Sequence, residues 1–272
     1  MTGLRVVRVL GLVTVQDGGR PGFMHEGLAR GGALVRGALV AANRAVGNAD
    51  LAPAIEVLGR LVAQVETRIE IAIGETARVL EAGEELVIAS EPMRAVYLAL
   101  AGGVDAPIVL GSASTQLSAG IGAAIRAGDR IGQGARIPAN AAPSGTSLAV
   151  TRRTIRVVPG PDRHAFAPDV LAALVSAPYR ISPTSDRVGT RLVGPDLPRT
   201  AAPERTRPMV CGALEIPRDG QPIVLGPEHP TTGGYPIVAV IVDDDLDRFF
   251  EIRIGGEVAF EVGHAATSPA RS

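Results

Sequence analysis

Period-two alternation of apolar and polar positions dominates several stretches of the chain. Ile69, Ile71 and Ile73 fall on one face of 67–73, with Arg68 and Glu70 on the other. Val258, Phe260 and Val262 oppose Glu257 and Glu261 in the same way. Together with 96–100, 154–158 and 237–242, rich in β-branched residues, these read as strands. A period near 3.6 predicts two helices. The first runs from about Gly32 to Val46, with Leu34, Ala38, Ala41, Ala42 and Ala45 on one stripe and Gly47-Asn48 as its stop. The second starts at Pro168, with Asp169 at its positive end and Val170, Leu171, Leu174 and Val175 inward.

A glycine turn followed by an acid and a strand recurs at Gly83-Glu84-Glu85, Gly128-Asp129 and Gly255-Gly256-Glu257. This fits a mainly β chain of two barrels with a few short helices. The small, proline-containing stretch 138–150 reads as a linker between an N-terminal domain, 1–137, and a C-terminal domain, 151–272. Gly 33 and Pro 21 make up about a fifth of the 272 residues, which favours short strands and turns over long helices.

Charge narrows the function. Lys+Arg 27 against Asp+Glu 28 leaves −1, and with no Trp and few other aromatics the chain is a poor partner for nucleic acid. All its basic residues are arginine. The absence of lysine excludes a P-loop lysine, a Schiff-base lysine and a biotinyl-lysine in this chain. One cysteine, Cys211, removes intrachain disulfides, and four scattered histidines offer no metal-ligand spacing, so no metal is expected. Without a signal-like or membrane-spanning run, the chain reads as soluble and cytoplasmic.

Four loops place polar residues among glycines. The loop 16–22 carries Asp17 and Arg20, which either pair in a rigid turn or face a ligand. In Ser182–Leu192, Asp186, Arg187 and Arg191 stand among four hydroxyl residues, suited to a carboxylate or phosphate through forked guanidinium bonds. The alternative is a solvated loop whose hydroxyls cap its own backbone. Gln221 lies in a turn entering a strand. The fourth loop, 229–236, offers Thr232, Tyr235 and the amides of Gly233 and Gly234 to an anion or oxyanion. His229 is the acid–base candidate, although an exposed loop histidine is the plainer reading. Asp243, Asp244, Asp245 and Asp247 read as a solvated turn or helix start, not a metal cluster.

Eight stretches, in order, resemble the allophanate hydrolase subunit 2 or KipA-like family, also known as the 5-oxoprolinase C-subunit family. They are 15–22, 41–48, 101–105, 111–115, 159–161, 182–192, 219–223 and 232–236. The resemblance implies cyclophilin-like β-barrels and a KipI-like (allophanate hydrolase subunit 1) partner. With a third, LamB/YcsF-type subunit, the pair resembles an ATP-dependent 5-oxoprolinase that opens 5-oxoproline to glutamate. ATP would then act in the assembled complex. The same modules resemble the carboxyltransferase part of urea carboxylase, whose biotin would have to arrive on another chain. A third implication is regulatory: binding a KipI-like kinase inhibitor without catalysis. The chain departs from the family pattern at Val35 and Arg207, where relatives often carry an acid, and at Glu215, where they often carry Gln.

Amide activation builds negative charge on oxygen. On that chemistry Arg187 or Arg191 is expected to hold the substrate anion, Gly233 and Gly234 to supply donors, and Asp186 to orient an arginine. Asp17, Arg20 and Asn43 are expected to complete the site.

Overall fold

The computed structural model describes residues 3–135, 154–200 and 205–263. The chain divides into two compact units between Leu148 and Ala149. That division, like the linker expected at 138–150, lies outside the described residues, and each unit is described by itself.

In the N-terminal unit, eight strands form one antiparallel sheet: β1 (Gly3–Gln16), β2 (Ala54–Val65), β3 (Ile69–Ile73), β4 (Thr76–Leu80), β5 (Glu85–Ala89), β6 (Val96–Leu100), β7 (Val104–Asp105) and β8 (Arg130–Gln133). The order is β4-β3-β6-β2-β1-β8-β7, with β5 also on β2. The β1–β2 ladder runs from Leu4↔Val65 to Gln16↔Ala54 and crosses at a Gly11↔Gly59 pair. Any Cβ at either glycine would collide with the facing carbonyl, so the two backbones bend there at close approach. Beyond that bend the free edge of β2 changes partner, from β6 at Ile55–Val57 to β5 at Arg60–Gln64. The curved sheet encloses Leu4, Val13, Ile55, Leu61, Ile71, Leu86 and Leu98, all essentially inaccessible.

Helix α1 spans Arg36–Ala45, four residues later than the periodicity predicts at its start. The cause is long-range. The Leu34 amide donates to Glu56 Oε2 (2.8 Å) and the Val35 amide to Tyr97 Oη (3.0 Å), holding the preceding residues extended. Glu56 also accepts the Tyr97 hydroxyl at 2.5 Å. Val35 is the N-cap residue and makes no side-chain cap. The helix buries Leu39, Ala42 and Asn43, while Ala38, Ala41 and Ala45 are half-buried.

The C-terminal unit is built on strands β9 (Thr154–Pro159), β10 (Tyr179–Ile181), β11 (Gly189–Val193), β13 (Ala213–Glu215), β14 (Ile223–Leu225), β16 (Ile237–Ile241) and β17 (Glu257–Val262). They close a barrel in the order β10-β11-β14-β13-β16-β9-β17. Only the β9–β17 closure is parallel. Two further strands, β12 (Arg207–Pro208) and β15 (Thr232–Gly233), form a separate ribbon. In the core Phe249 stacks on Phe260 at 6.4 Å between centroids, and Tyr179 meets Phe260 tilted at 6.0 Å. Burial of the Tyr179 hydroxyl, which has no hydrogen-bond partner among the described residues, pushes its pKa up to about 12. Two short helices, α2 (Val170–Val175) and α3 (Leu246–Glu251), complete the unit.

The acidic run forms the expected helix start, with Asp243 and Asp244 exposed in a turn that leads into α3, and departs from the expectation at one residue. Asp245 is buried, not solvated: its carboxylate accepts Arg156 Nη2 at 2.8 Å and Arg248 Nη1 at 3.0 Å. Burial works to raise its pKa, but these bonds and charges leave it lowered. Among the described residues no helix is long and apolar enough to cross a membrane, and no cluster of His, Cys, Asp and Glu could hold a metal ion.

Candidate functional site

In the N-terminal unit, Asp17 and Arg20 act as staples between two loops. The Asp17 carboxylate accepts the Gly19 amide (2.7 Å), the Ser112 and Ser114 hydroxyls (2.6 and 2.5 Å) and the Ala113 amide (2.6 Å). Arg20, only 1% exposed, donates to the carbonyls of Ser114 (2.6 Å), Val109 and Ser112 and to Gln116 Oε1 (3.2 Å). Asn43 is fully buried as well. Its amide donates to the carbonyls of Asp50 and Ala52 and its oxygen accepts Asn48 Nδ2, which ties the chain after α1 to the end of β6. The three residues expected to face a ligand spend these polar groups on the fold. A cavity of about 220 Å³ opens beside the Asp17 staple, lined by Val15, Pro107, Val109, Ser114, Thr115 and Gly122.

The candidates of the C-terminal unit separate into engaged and unengaged groups. Arg187 is buried, and its Nε donates to Glu228 Oε1 at 2.6 Å, a buried ion pair. Asp186 caps its own turn, accepting the Val188 and Gly189 amides at 2.9 Å. Gln221 bridges to the backbone of Gly194 and to the Asp196 carboxylate. His229 is buried, 4% exposed, with Nδ1 2.7 Å from the Pro230 carbonyl, which overturns the exposed-loop reading. Burial lowers its pKa, so the ring is held neutral.

Arg191, Thr232 and Tyr235 are exposed. Among the described residues no hydrogen bond or ion pair engages the side chains of Arg191 or Tyr235. Arg191 also belongs to a row that the alternation alone does not reveal. It faces Ile223 across β11–β14, Ile223 faces Glu215 across β14–β13, and Glu215 faces Ile237 across β13–β16. Directly opposed residues project from the same face of a sheet. The next row, Thr190–Val224–Leu214, is completely buried and lies on the other face, and a register shift between Leu214 and Glu215 breaks the alternation against β16.

The ribbon lies over the Glu215 end of this row. A Cβ on Gly233 would collide with the Met209 methyl and stand 3.1 Å from Glu215 Oε1. Arg207, opposite Gly233 in the ribbon, forms an ion pair with buried Asp162, whose other oxygen accepts the Ile237 amide at 2.9 Å. Glu215 is 7% exposed and accepts no hydrogen bond from a described residue. Burial pushes its pKa from 4.5 up to about 7.

The strand and loop order match a known architecture. A profile of the family described as carboxyltransferase domain, subdomain A and B, matches residues 26–262. The chain belongs to that family. Within it, the chain is 36% identical over 280 residues to the C subunit of the 5-oxoprolinase of Escherichia coli (strain K12), covering 94% of this chain and 90% of that protein. It is 28% identical to urea amidolyase of Lachancea kluyveri, covering 91% of this chain but 16% of that one. Among solved structures, TTHA0988 superposes with a TM-score of 0.82 at 30% identity, over 96% of this chain. This chain spans 55% of the TTHA0988 chain. The family resemblance read from the eight stretches therefore holds across nearly the whole chain.

Glu228 and Asp162, the carboxylates that engage Arg187 and Arg207, are absent from the sequence-derived site. For Glu228 a signal was present: an acid directly beside the one loop histidine.

Proposed function

We propose that this carboxyltransferase-domain chain is the C subunit of a 5-oxoprolinase, opening the lactam of 5-oxoproline to glutamate together with a KipI-like subunit and a third, LamB/YcsF-type subunit. The observation that carries the reading is the near full-length match to the C subunit of the E. coli 5-oxoprolinase. The C-terminal barrel supplies chemistry that suits it. Arg191 is a solvent-facing guanidinium that meets no competing carboxylate among the described residues, fit to receive the substrate's carboxylate by forked bonds. Tyr235 and the Gly234 amide offer donors to the oxygen on which charge builds as the amide is attacked, whereas the Gly233 amide is spent on Arg207 in the β12–β15 ribbon. Arg187, held by Glu228, positions the loop that carries Arg191.

ATP belongs to the assembled complex. The glycines of this chain nearest a nucleotide fingerprint, Gly120 and Gly122, follow a single 3-10 turn, Leu117–Ala119, with no strand–helix junction and no lysine. These residues do not fit a nucleotide loop.

The test is reconstitution of the three subunits with 5-oxoproline and ATP, followed by glutamate and ADP. Arg191→Gln and Tyr235→Phe should each lower turnover by more than tenfold. Full turnover in both variants removes this site. A complex inert with 5-oxoproline but active with urea and carboxybiotin shifts the reading to carboxyl transfer, the activity suggested by the urea amidolyase relative. Binding of the partner without turnover of either substrate points to the regulatory role.

A further inference from the structure

The row Arg191–Ile223–Glu215 sets a cation, an apolar side chain and an acid with no hydrogen-bond partner among the described residues on one face of three adjacent strands. Strands pair about 4.8 Å apart, so the outer two backbones are separated by roughly 10 Å. Arg191 is exposed at one end of this span and Glu215 is 7% exposed at the other, with half-buried Ile223 between them. A buried carboxyl group with no hydrogen-bond partner is costly, and one that meets a ligand is a recognised reason for keeping it.

We propose that Glu215 is a ligand-reading residue: in its protonated form it donates its O–H to the carbonyl oxygen of a neutral cyclic amide whose carboxylate is held by Arg191. This deepens the 5-oxoproline reading and rests on it, since it assigns the amide end of the same ligand. The charges around Glu215 are accounted for element by element. On β11 stands Arg191. On β12, Arg207 is paired with Asp162 of the turn after β9. β14 and β16 present Ile223 and Ile237, and β15 presents Gly233. A carboxyl that is protonated below about pH 7 and ionised above it serves as a donor only on the acid side. Once ionised, it turns a lone pair on the ligand carbonyl and repels it.

Calorimetric titration of the full chain, in its complex, with 5-oxoproline between pH 6 and pH 8 tests the assignment. The wild type should lose about tenfold in affinity over that range, following the protonated fraction of a group near 7. Glu215→Gln keeps a donor at every pH and should bind with less than a twofold change across the range. Glu215→Leu should bind weakly throughout. A Gln variant that reproduces the wild-type pH dependence overturns the role of Glu215 while leaving the site intact. A wild type that fails to bind 5-oxoproline at pH 6 overturns the substrate reading itself and the proposal with it.

Discussion

Replacing Glu215 by Gln isolates what an ionisable carboxyl costs beneath the β12–β15 ribbon. Its pKa of about 7 in the folded chain stands above the ordinary 4.5 because burial disfavours the charged form. Between those two values the folded chain keeps a proton that the unfolded chain has released. Stability from this group is therefore fully present below pH 4.5 and falls by about 1.4 kcal/mol per pH unit as pH rises, levelling above 7. The accumulated loss at pH 8 is roughly 3 kcal/mol. Glutamine has the shape of the protonated acid and carries no such loss. In urea denaturation of the full chain, followed at the Met209 methyl resonance because Met209 packs in this layer, Glu215→Gln should match the wild type near pH 4. It should exceed the wild type by roughly 3 kcal/mol at pH 8. A stability difference that is flat with pH, or that favours the wild type at pH 8, refutes the buried-acid reasoning.

Three further outcomes follow from the same geometry. His229 is lowered by burial, so its contribution runs in the opposite sense: it is present above the ordinary 6.5 and lost as pH falls through the folded value. His229→Gln should blunt the acid loss of stability below pH 6.5 in the same denaturation series, and an unchanged acid limb would count against it. Glu228→Leu strips the buried Arg187 of its carboxylate and should cost about 3–5 kcal/mol, whereas the double variant Arg187→Met with Glu228→Leu should cost less than either Glu228→Leu or Arg187→Met alone; thermal unfolding of the wild type and these three variants closes that cycle. Asp17→Asn weakens a carboxylate that holds four donors and should destabilise the N-terminal unit by about 2 kcal/mol, read as faster hydrogen exchange at the Ala113 amide.

The contrast between what the chain announces and what it conceals is physical. Strands β6 and β17 coincide with the alternating stretches, and β3, β9 and β16 differ from them only at their ends, because one buried face leaves its imprint every second residue. The start of α1 was not legible, since the groups that hold Leu34 and Val35 extended come from β2 and β6, more than twenty residues away. Glu215 was visible only as an unusual residue. Its burial depends on a ribbon whose strands lie on either side of it in sequence, and no local pattern reports a cover assembled at that range.

Arg187 and Arg191 make the point most sharply. They share one loop and one chemistry, and composition ranks them equally as anion readers. Pairing separates them. Gly189 begins β11, so Arg187 precedes the strand and turns inward to Glu228, while Arg191 falls at a ladder position whose neighbours are Ile223 and then Glu215. Alternation within the strand already implied that Arg191 and Leu192 point to opposite faces, with Leu192 inward. What the sequence lacked was the acid that engages Arg187, which arrives forty-one residues later. A guanidinium already paired in a buried site has little left to offer a ligand, so in the proposed site the anion-reading role is assigned to Arg191 and not to its twin. The test of that step is a difference between two substitutions. Arg187→Gln should lose mainly stability and Arg191→Gln mainly affinity for the substrate carboxylate, and the reverse pattern would return the role to Arg187.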